Sequence, residues 1–469
     1  MRVGSMTVML LALVIFIVTV VVGVVPMSSV LSSDPDSPAL LFTVAKRYEP
    51  LAWVRGADRF SSDAIIFVQD ASGRHPLIPG LAASADPTVS FDGKSVLFAG
   101  KQKAQDPWQI WEVAWDGARE IAMTGSAVRR VTSCAEDCVR PFYLPEDRVV
   151  YAKRTGGRFV IEAADLAEGK TVQSIVQLTY GPGNFLPTDV LRDGRILFEA
   201  TYPLGTNGTP ELYTVYSDGS GVESYRCDHG KARYSGRQVA SGDIAFTSSP
   251  GLARFTSSRA EEVRISTPAG EYAGDIAETS SGDWLMAWRE GKTPFQLMWW
   301  RPGTGDLRSA AADPNANVIQ PTLVVERTVP KRHPSGLHDW PNANLLCLNA
   351  YTSKYKFAAG SIHSVRLYTR DSVGTTKLLG LAPVERDGSF FVQVPTEQPL
   401  QIELLDSSGK TLRRQAGWFW MRRGEQRGCV GCHAGPETAP ENAVPMILLK
   451  STTPADMTGA STHAPSGGQ

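Results

Sequence analysis

Five segments between residues 90 and 286 follow one template, in which a polar turn opens onto a short apolar strand. They are residues 90–98 (Ser-Phe-Asp-Gly-Lys-Ser-Val-Leu-Phe), 144–151 (Leu-Pro-Glu-Asp-Arg-Val-Val-Tyr), 191–198 (Leu-Arg-Asp-Gly-Arg-Ile-Leu-Phe), 240–246 (Ala-Ser-Gly-Asp-Ile-Ala-Phe) and 280–286 (Ser-Ser-Gly-Asp-Trp-Leu-Met). From the end of each to the end of the next the spacing is 53, 47, 48 and 40 residues. A second alternating strand follows in several copies, at residues 109–115, 211–216 and 296–300. These strands run out in Asp116-Gly117, Asp218-Gly219 and Pro302-Gly303, which suit hairpins and tight turns. A strand-only unit of this length cannot bury its apolar face alone, and repeated radially it makes the blades of a β-propeller. Residues 64–68 supply an earlier blade and residues 322–326 a closing strand, so six or seven blades fit between about Tyr48 and Val329. A β-sandwich with coincidental spacing is the competing arrangement.

After about Arg332 the repeat stops. Residues 363–368, 388–394 and 400–405 alternate apolar and polar positions, and Asp387-Gly388 and residues 406–409 supply turns. They predict a small antiparallel β-sandwich over residues 331–422, with residues 415–421 as its last strand. The chain is therefore expected to be all-β, and 43 Gly, 31 Pro, 11 Trp, 13 Tyr and 17 Phe agree with many turns and many strand formers. The layout that follows is a linker at 27–47, the propeller at 48–330, the sandwich at 331–422, a short chemical segment at 423–450 and a disordered tail at 451–469 rich in Ser, Thr, Gly, Pro and Ala.

Residues 6–25 are 20 uncharged residues without Asn, Gln or Pro. As a helix they would span roughly 30 Å, the thickness of a bilayer's hydrocarbon core. Arg2 precedes the run and Asp34 and Asp36 follow it, an asymmetry that leaves the N-terminus in the cytoplasm and exports the rest. The expectation is an N-terminal inner-membrane anchor within residues 1–26, with a signal peptide cleaved near Ser32 as the alternative; either places the folded part on the periplasmic side. The net charge of -1, with no long basic run, excludes a nucleic-acid surface.

The chemistry concentrates in residues 424–435, Gly-Glu-Gln-Arg-Gly-Cys-Val-Gly-Cys-His-Ala-Gly. Cys-x-x-Cys-His is the c-type haem attachment pattern. Two thiols at this spacing, Cys429 and Cys432, meet the two vinyl groups of one haem as thioethers, and the imidazole of His433 then lies under the iron. A structural zinc site would need a second ligand pair, and no other Cys-x-x-Cys occurs. A redox dithiol and a plain disulfide compete with haem for the same two cysteines. Cys134 and Cys138 are close enough to pair in an oxidising compartment. Cys347 lies in an apolar run and reads as core. Cys227 and His229, in Arg-Cys-Asp-His, are either a buried Cys beside surface groups or metal ligands. His338 and His333 lie in a Gly/Pro loop between the two domains and are the candidates for a second axial ligand. His229 and Met446 stand behind them.

Residues 380–395, 399–406 and 424–433, with Pro440-Glu-Asn442 and Val444-Pro445, resemble the haem-bearing middle domain of the hydrazine synthase alpha subunit family. The upstream repeat resembles the Tol-type periplasmic propeller. The resemblance implies a propeller packed against the cytochrome segment with one covalent haem c between them. In that family's best-known member a tyrosine shortly after the attachment histidine binds the iron, while that histidine joins a propeller cysteine on zinc. Here Glu437 stands four residues after His433 and no Tyr follows, so His433 is expected on the iron, with zinc on Cys227, His229 and His433 as the alternative. The function expected is that of an exported c-type cytochrome passing electrons to or from a redox partner protein. A haem enzyme acting on a small nitrogen or peroxide molecule, and a propeller serving only as a binding scaffold, are the competing functions.

Overall fold

The computed structural model describes residues 38–115, 127–166, 171–201, 208–226, 229–249, 251–258, 260–353, 355–371, 374–431 and 443–459. The apolar run at 6–25 lies outside these residues, as do Cys227, Cys432 and His433. Among the described residues no helix is long and apolar enough to cross a membrane.

Six antiparallel sheets follow one another in chain order and close into a ring, forming a six-bladed propeller among the described residues. The first blade joins Leu40–Ala45, Ile65–Asp70 and Gly73–Pro76 to Asn317–Leu323 from the far end of the ring, with Val44 opposite Val318. This closure ties the two ends of the propeller sequence together with backbone hydrogen bonds. It corrects two expectations. The supposed linker at 27–47 contains the fully buried strand Leu40–Ala45, whose continuous apolar run hides any alternation because both faces are covered. The closing strand also lies earlier than residues 322–326, because Pro321 is accepted inside it at a bulge.

Residues 46–63 leave the first blade and cover one end of the ring. Trp53 packs on Phe159, Phe60 on Trp108 and Tyr48 on Phe295, and Thr201 Oγ1 donates 2.7 Å to Val54 O. These partners come from four different blades. Beneath them the innermost strands bulge at equivalent positions and turn their side chains toward the axis. Asp86, Arg140, Ser235, Asp275 and Gln320 all have φ between 51° and 57°, and register shifts mark the bulges in the second, third and fifth blades. Arg140 is fully buried. Its guanidinium donates to both Asp275 oxygens at 3.1–3.3 Å and to Pro187 O at 3.2 Å, and its backbone N–H donates to Asp86 Oδ2 at 3.1 Å. Gln320 bonds Asp86 in both directions, through its amide nitrogen to Asp86 Oδ1 and through its amide oxygen from Asp86 N.

The second domain has two four-stranded sheets. In one, Asn342–Cys347 and Phe390–Pro395 pair antiparallel, but Gln426–Cys429 runs parallel to the first and Ala455–Asp456 parallel to the second. The sandwich is thus mixed at its edges rather than wholly antiparallel. The chain passes through the second sheet before returning, which gives the long connection a parallel pair requires. Residues 451–459 are likewise not the disordered tail expected, since Met457 is fully buried behind Gly380.

The expected last strand at 415–421 is not a strand beyond a single bridge from Phe419 to Leu400. Trp418, Phe419, Trp420 and Met421 are all buried because this segment is the wedge between the domains. Trp420 Nε1 donates 2.9 Å to Leu178 O and its ring lies 5.5 Å from Phe185. One apolar core therefore runs from the third and fourth blades into the sandwich.

Candidate functional site

Past the wedge, charged side chains bind the chain to the fourth blade. Glu425, 5% exposed, accepts from Arg427 Nε at 2.9 Å, Arg427 NH2 at 2.6 Å and Gly221 N at 3.1 Å on one oxygen, and from Arg422 N at 2.8 Å on the other. A buried carboxylate with four donors repays its desolvation. Arg422 reaches back to Gln177 O at 3.1 Å, to the Tyr180 hydroxyl and to Glu397 at 3.0 Å. Burial pushes the Tyr180 phenol up to about 12 even beside this guanidinium. Gly424, at φ +67°, lies against the backbone of His338, where a Cβ would collide with the carbonyl oxygen.

The strand Gln426–Cys429 then runs along Asn342–Cys347 and sets Cys429 opposite Cys347. Leu348 N donates 2.8 Å to Cys429 O, which fixes the end of the strand. The Cys429 thiol is drawn down to about 7 by a hydrogen bond from Cys347, aided by the Gly431 backbone and the Arg427 charge and opposed by burial. Gly431, at φ +132°, passes so close to Asn349 O and Thr352 O that no side chain fits there. Gly428, on the other side of Cys429, faces open space. The thiol thus sits at the end of an edge strand with open space on its Gly428 side alone. Cys432 and His433, which would complete the attachment, lie outside the described residues.

The remaining residues singled out in the sequence are not gathered into one centre. His333 stacks on Tyr216 with ring centroids 3.6 Å apart, and Tyr216 in turn abuts Gly221, the donor to Glu425. His338 is exposed, stacks on Trp340 at 5.0 Å and meets the segment through its backbone at Gly424. His229 is held by Glu211, with Nδ1 2.5 Å from Oε2. Among the described residues no group of three or more His, Cys, Asp or Glu could hold a metal ion, and Cys227 and His433 of the zinc alternative lie outside them. Cys134 and Cys138 form the expected disulfide, with Cα atoms 6.3 Å apart. Glu425 was not expected as an anchor, although the charge density of residues 422–427 was its signal. Nor was the contact of Cys347 with Cys429, for which a residue pair so distant in sequence offers no signal.

Residues 349–434 match the family model of the hydrazine synthase alpha subunit middle domain, from the turn after Cys347 to one residue past His433. The match is confined to this part of the chain. The solved structure of Kuenenia stuttgartiensis hydrazine synthase superposes with a TM-score of 0.74 and 18% identity, covering 88% of this chain and 72% of that one. At that identity the likeness is one of fold, and it takes in propeller and sandwich together. TolB from Acinetobacter baumannii is a more distant match, with a TM-score of 0.43 and 14% identity over 63% of this chain and 67% of that one. No curated protein matches at a significant level.

Proposed function

We propose that the protein is an exported c-type cytochrome that carries one haem on Cys429 and Cys432, with His433 as an iron ligand, and passes electrons to or from a partner protein. The observation that carries this reading is the place of Cys429 at the end of the edge strand inside the family-matched domain, followed directly by Val-Gly-Cys-His. The haem, once attached, supplies the one-electron chemistry. The work of the protein's own residues is placement. Cys429 presents a nucleophilic sulfur, Gly431 lets the chain turn past Asn349 and Thr352, and Glu425 with Arg422 and Arg427 fixes the segment to the propeller. His338, beside Gly424, is the first choice for a second axial ligand, and His333 the second.

Residues 6–25 would anchor the chain to the inner membrane with both domains on the periplasmic side, a compartment in which the Cys134–Cys138 disulfide is stable. The test is expression of the full chain in cells that mature c-type cytochromes, followed by haem staining of the denatured chain and spectra of the native one. Retained stain with a six-coordinate, low-spin spectrum is the expected result. A five-coordinate, high-spin haem would replace electron transfer with catalysis on a small molecule. Absence of stain would leave a propeller scaffold.

A further inference from the structure

Cys347 and Cys429 lie 82 residues apart in sequence yet are direct partners on adjacent parallel strands. Neighbouring strands stand about 4.8 Å apart, inside the range of Cα separations that a disulfide spans. Cys347 is 2% exposed and sits in the sandwich core, so its thiol meets few groups other than those packed on it, and Cys429 is among them. The strand that carries Cys429 is held at both ends, by the Glu425 cluster at its start and by the bond from Leu348 N at its finish. The two sulfurs are therefore kept together by the fold and do not meet by chance. In the structure both are free thiols joined by a hydrogen bond, the reduced form of the pair.

We infer that Cys347 and Cys429 form a reversible disulfide in the haem-free chain, and that this bridge holds Cys429 out of reach of the cofactor until a reductant opens it. Formation joins the two sulfurs, releases two protons and passes two electrons to the disulfide of an exchange partner, which leaves as a dithiol. Opening is the reverse, with a dithiol as reductant, and it returns Cys429 as the thiol that thioether formation consumes. The bridge and the thioether use the same sulfur and exclude one another. The bridge itself stands on the Cys347–Cys429 geometry, whereas its role as a gate on cofactor attachment rests on the haem reading above.

The test is a thiol map of the full chain exported from cells that lack cytochrome maturation, quenched in acid, alkylated in denaturant without reductant, digested and analysed by mass spectrometry. The expected result is one cross-linked peptide pair holding Cys347 and Cys429, separated by dithiothreitol. Alkylation of both cysteines, or a bridge from Cys429 to Cys432, overturns the proposal. Cys347→Ser should restore alkylation of Cys429 while the Cys134–Cys138 bridge persists as the mark of a folded propeller; if the variant does not fold, the map of the unaltered chain decides alone. In chains matured with haem, Cys347 should become alkylatable in denaturant. A bridged chain that never acquires haem sinks the cytochrome reading and keeps the bridge. A haem-bearing chain whose haem-free form has both thiols alkylated does the reverse.

Discussion

The propeller axis and the seam between propeller and sandwich are both built on buried charge, and they use it differently. At the axis, Arg140, Asp275, Asp86 and Gln320 arrive from equivalent positions on different blades and bond mainly to one another across the ring. At the seam, Glu425, Arg422 and Arg427 are close together in sequence and bond largely to backbone groups of the third and fourth blades and to one another. The first arrangement closes a ring. The second aims a strand, and that strand carries Cys429. Buried charge thus serves stability in one place and positioning in the other, and variants should separate the two.

The largest effect expected is at the axis. Asp275→Ala leaves the Arg140 guanidinium buried without its main partner and should cost about 3–5 kcal/mol, read by denaturant unfolding, with the thiol chemistry of Cys429 unchanged in whatever fraction folds. The pH dependence sharpens this. Burial pushes the Asp275 carboxyl up, but Arg140 and Arg237 more than offset it and hold it well below the usual carboxylate range. Its contribution is therefore present above the unfolded value near ~4 and is lost as pH falls through the folded one. Asp86 and Glu199, raised chiefly by burial, act in the opposite sense, stabilising at low pH and losing that contribution as pH rises through their folded values. The stabilities of the unaltered chain and Asp275→Asn should therefore begin to approach one another only as pH falls below about 4, and meet only below the folded value. Parallel acid limbs would show that the Arg140–Asp275 pair does not set the acid response.

At the seam, Gly431→Ala forces a Cβ onto Asn349 O and Thr352 O and demands a backbone angle that alanine resists. A cost of about 1–3 kcal/mol is expected, with a fall in haem per folded chain larger than any axial variant causes. Glu425→Gln should cost on the order of 1–3 kcal/mol, because the bonds from Arg427 lose their charge and the buried site gains an unmatched donor. Limited proteolysis should then cut within residues 422–431 before it cuts the blades. Tyr216→Ala removes the stack on His333 and should cost only about 0.5–1.5 kcal/mol, seen as a small shift in unfolding midpoint.

What the sequence made legible follows from the same physics. The second strand of most blades is a short apolar run behind a polar turn, so the repeat and the propeller could be read. The innermost strands could not, because Asp86-Pro87, Arg140-Pro141 and Gln320-Pro321 place prolines where strand rules forbid them and the bulges accept them. Residues 418–421 read as a strand for their aromatic character, but they are buried on consecutive positions because two domains close on them. Cys429 was legible from its motif. Its pairing with Cys347 was not, since a parallel register is set by tertiary packing and leaves no local pattern.

The central claim is that Cys429 belongs to a covalent haem site, and a pyridine haemochrome spectrum of the purified, matured chain tests it most directly. The account predicts one thioether-linked haem per chain that survives acid-acetone extraction and disappears when Cys429 and Cys432 are both replaced by Ala. A folded chain that yields no covalent haem, or one whose haem survives that double replacement, would contradict it.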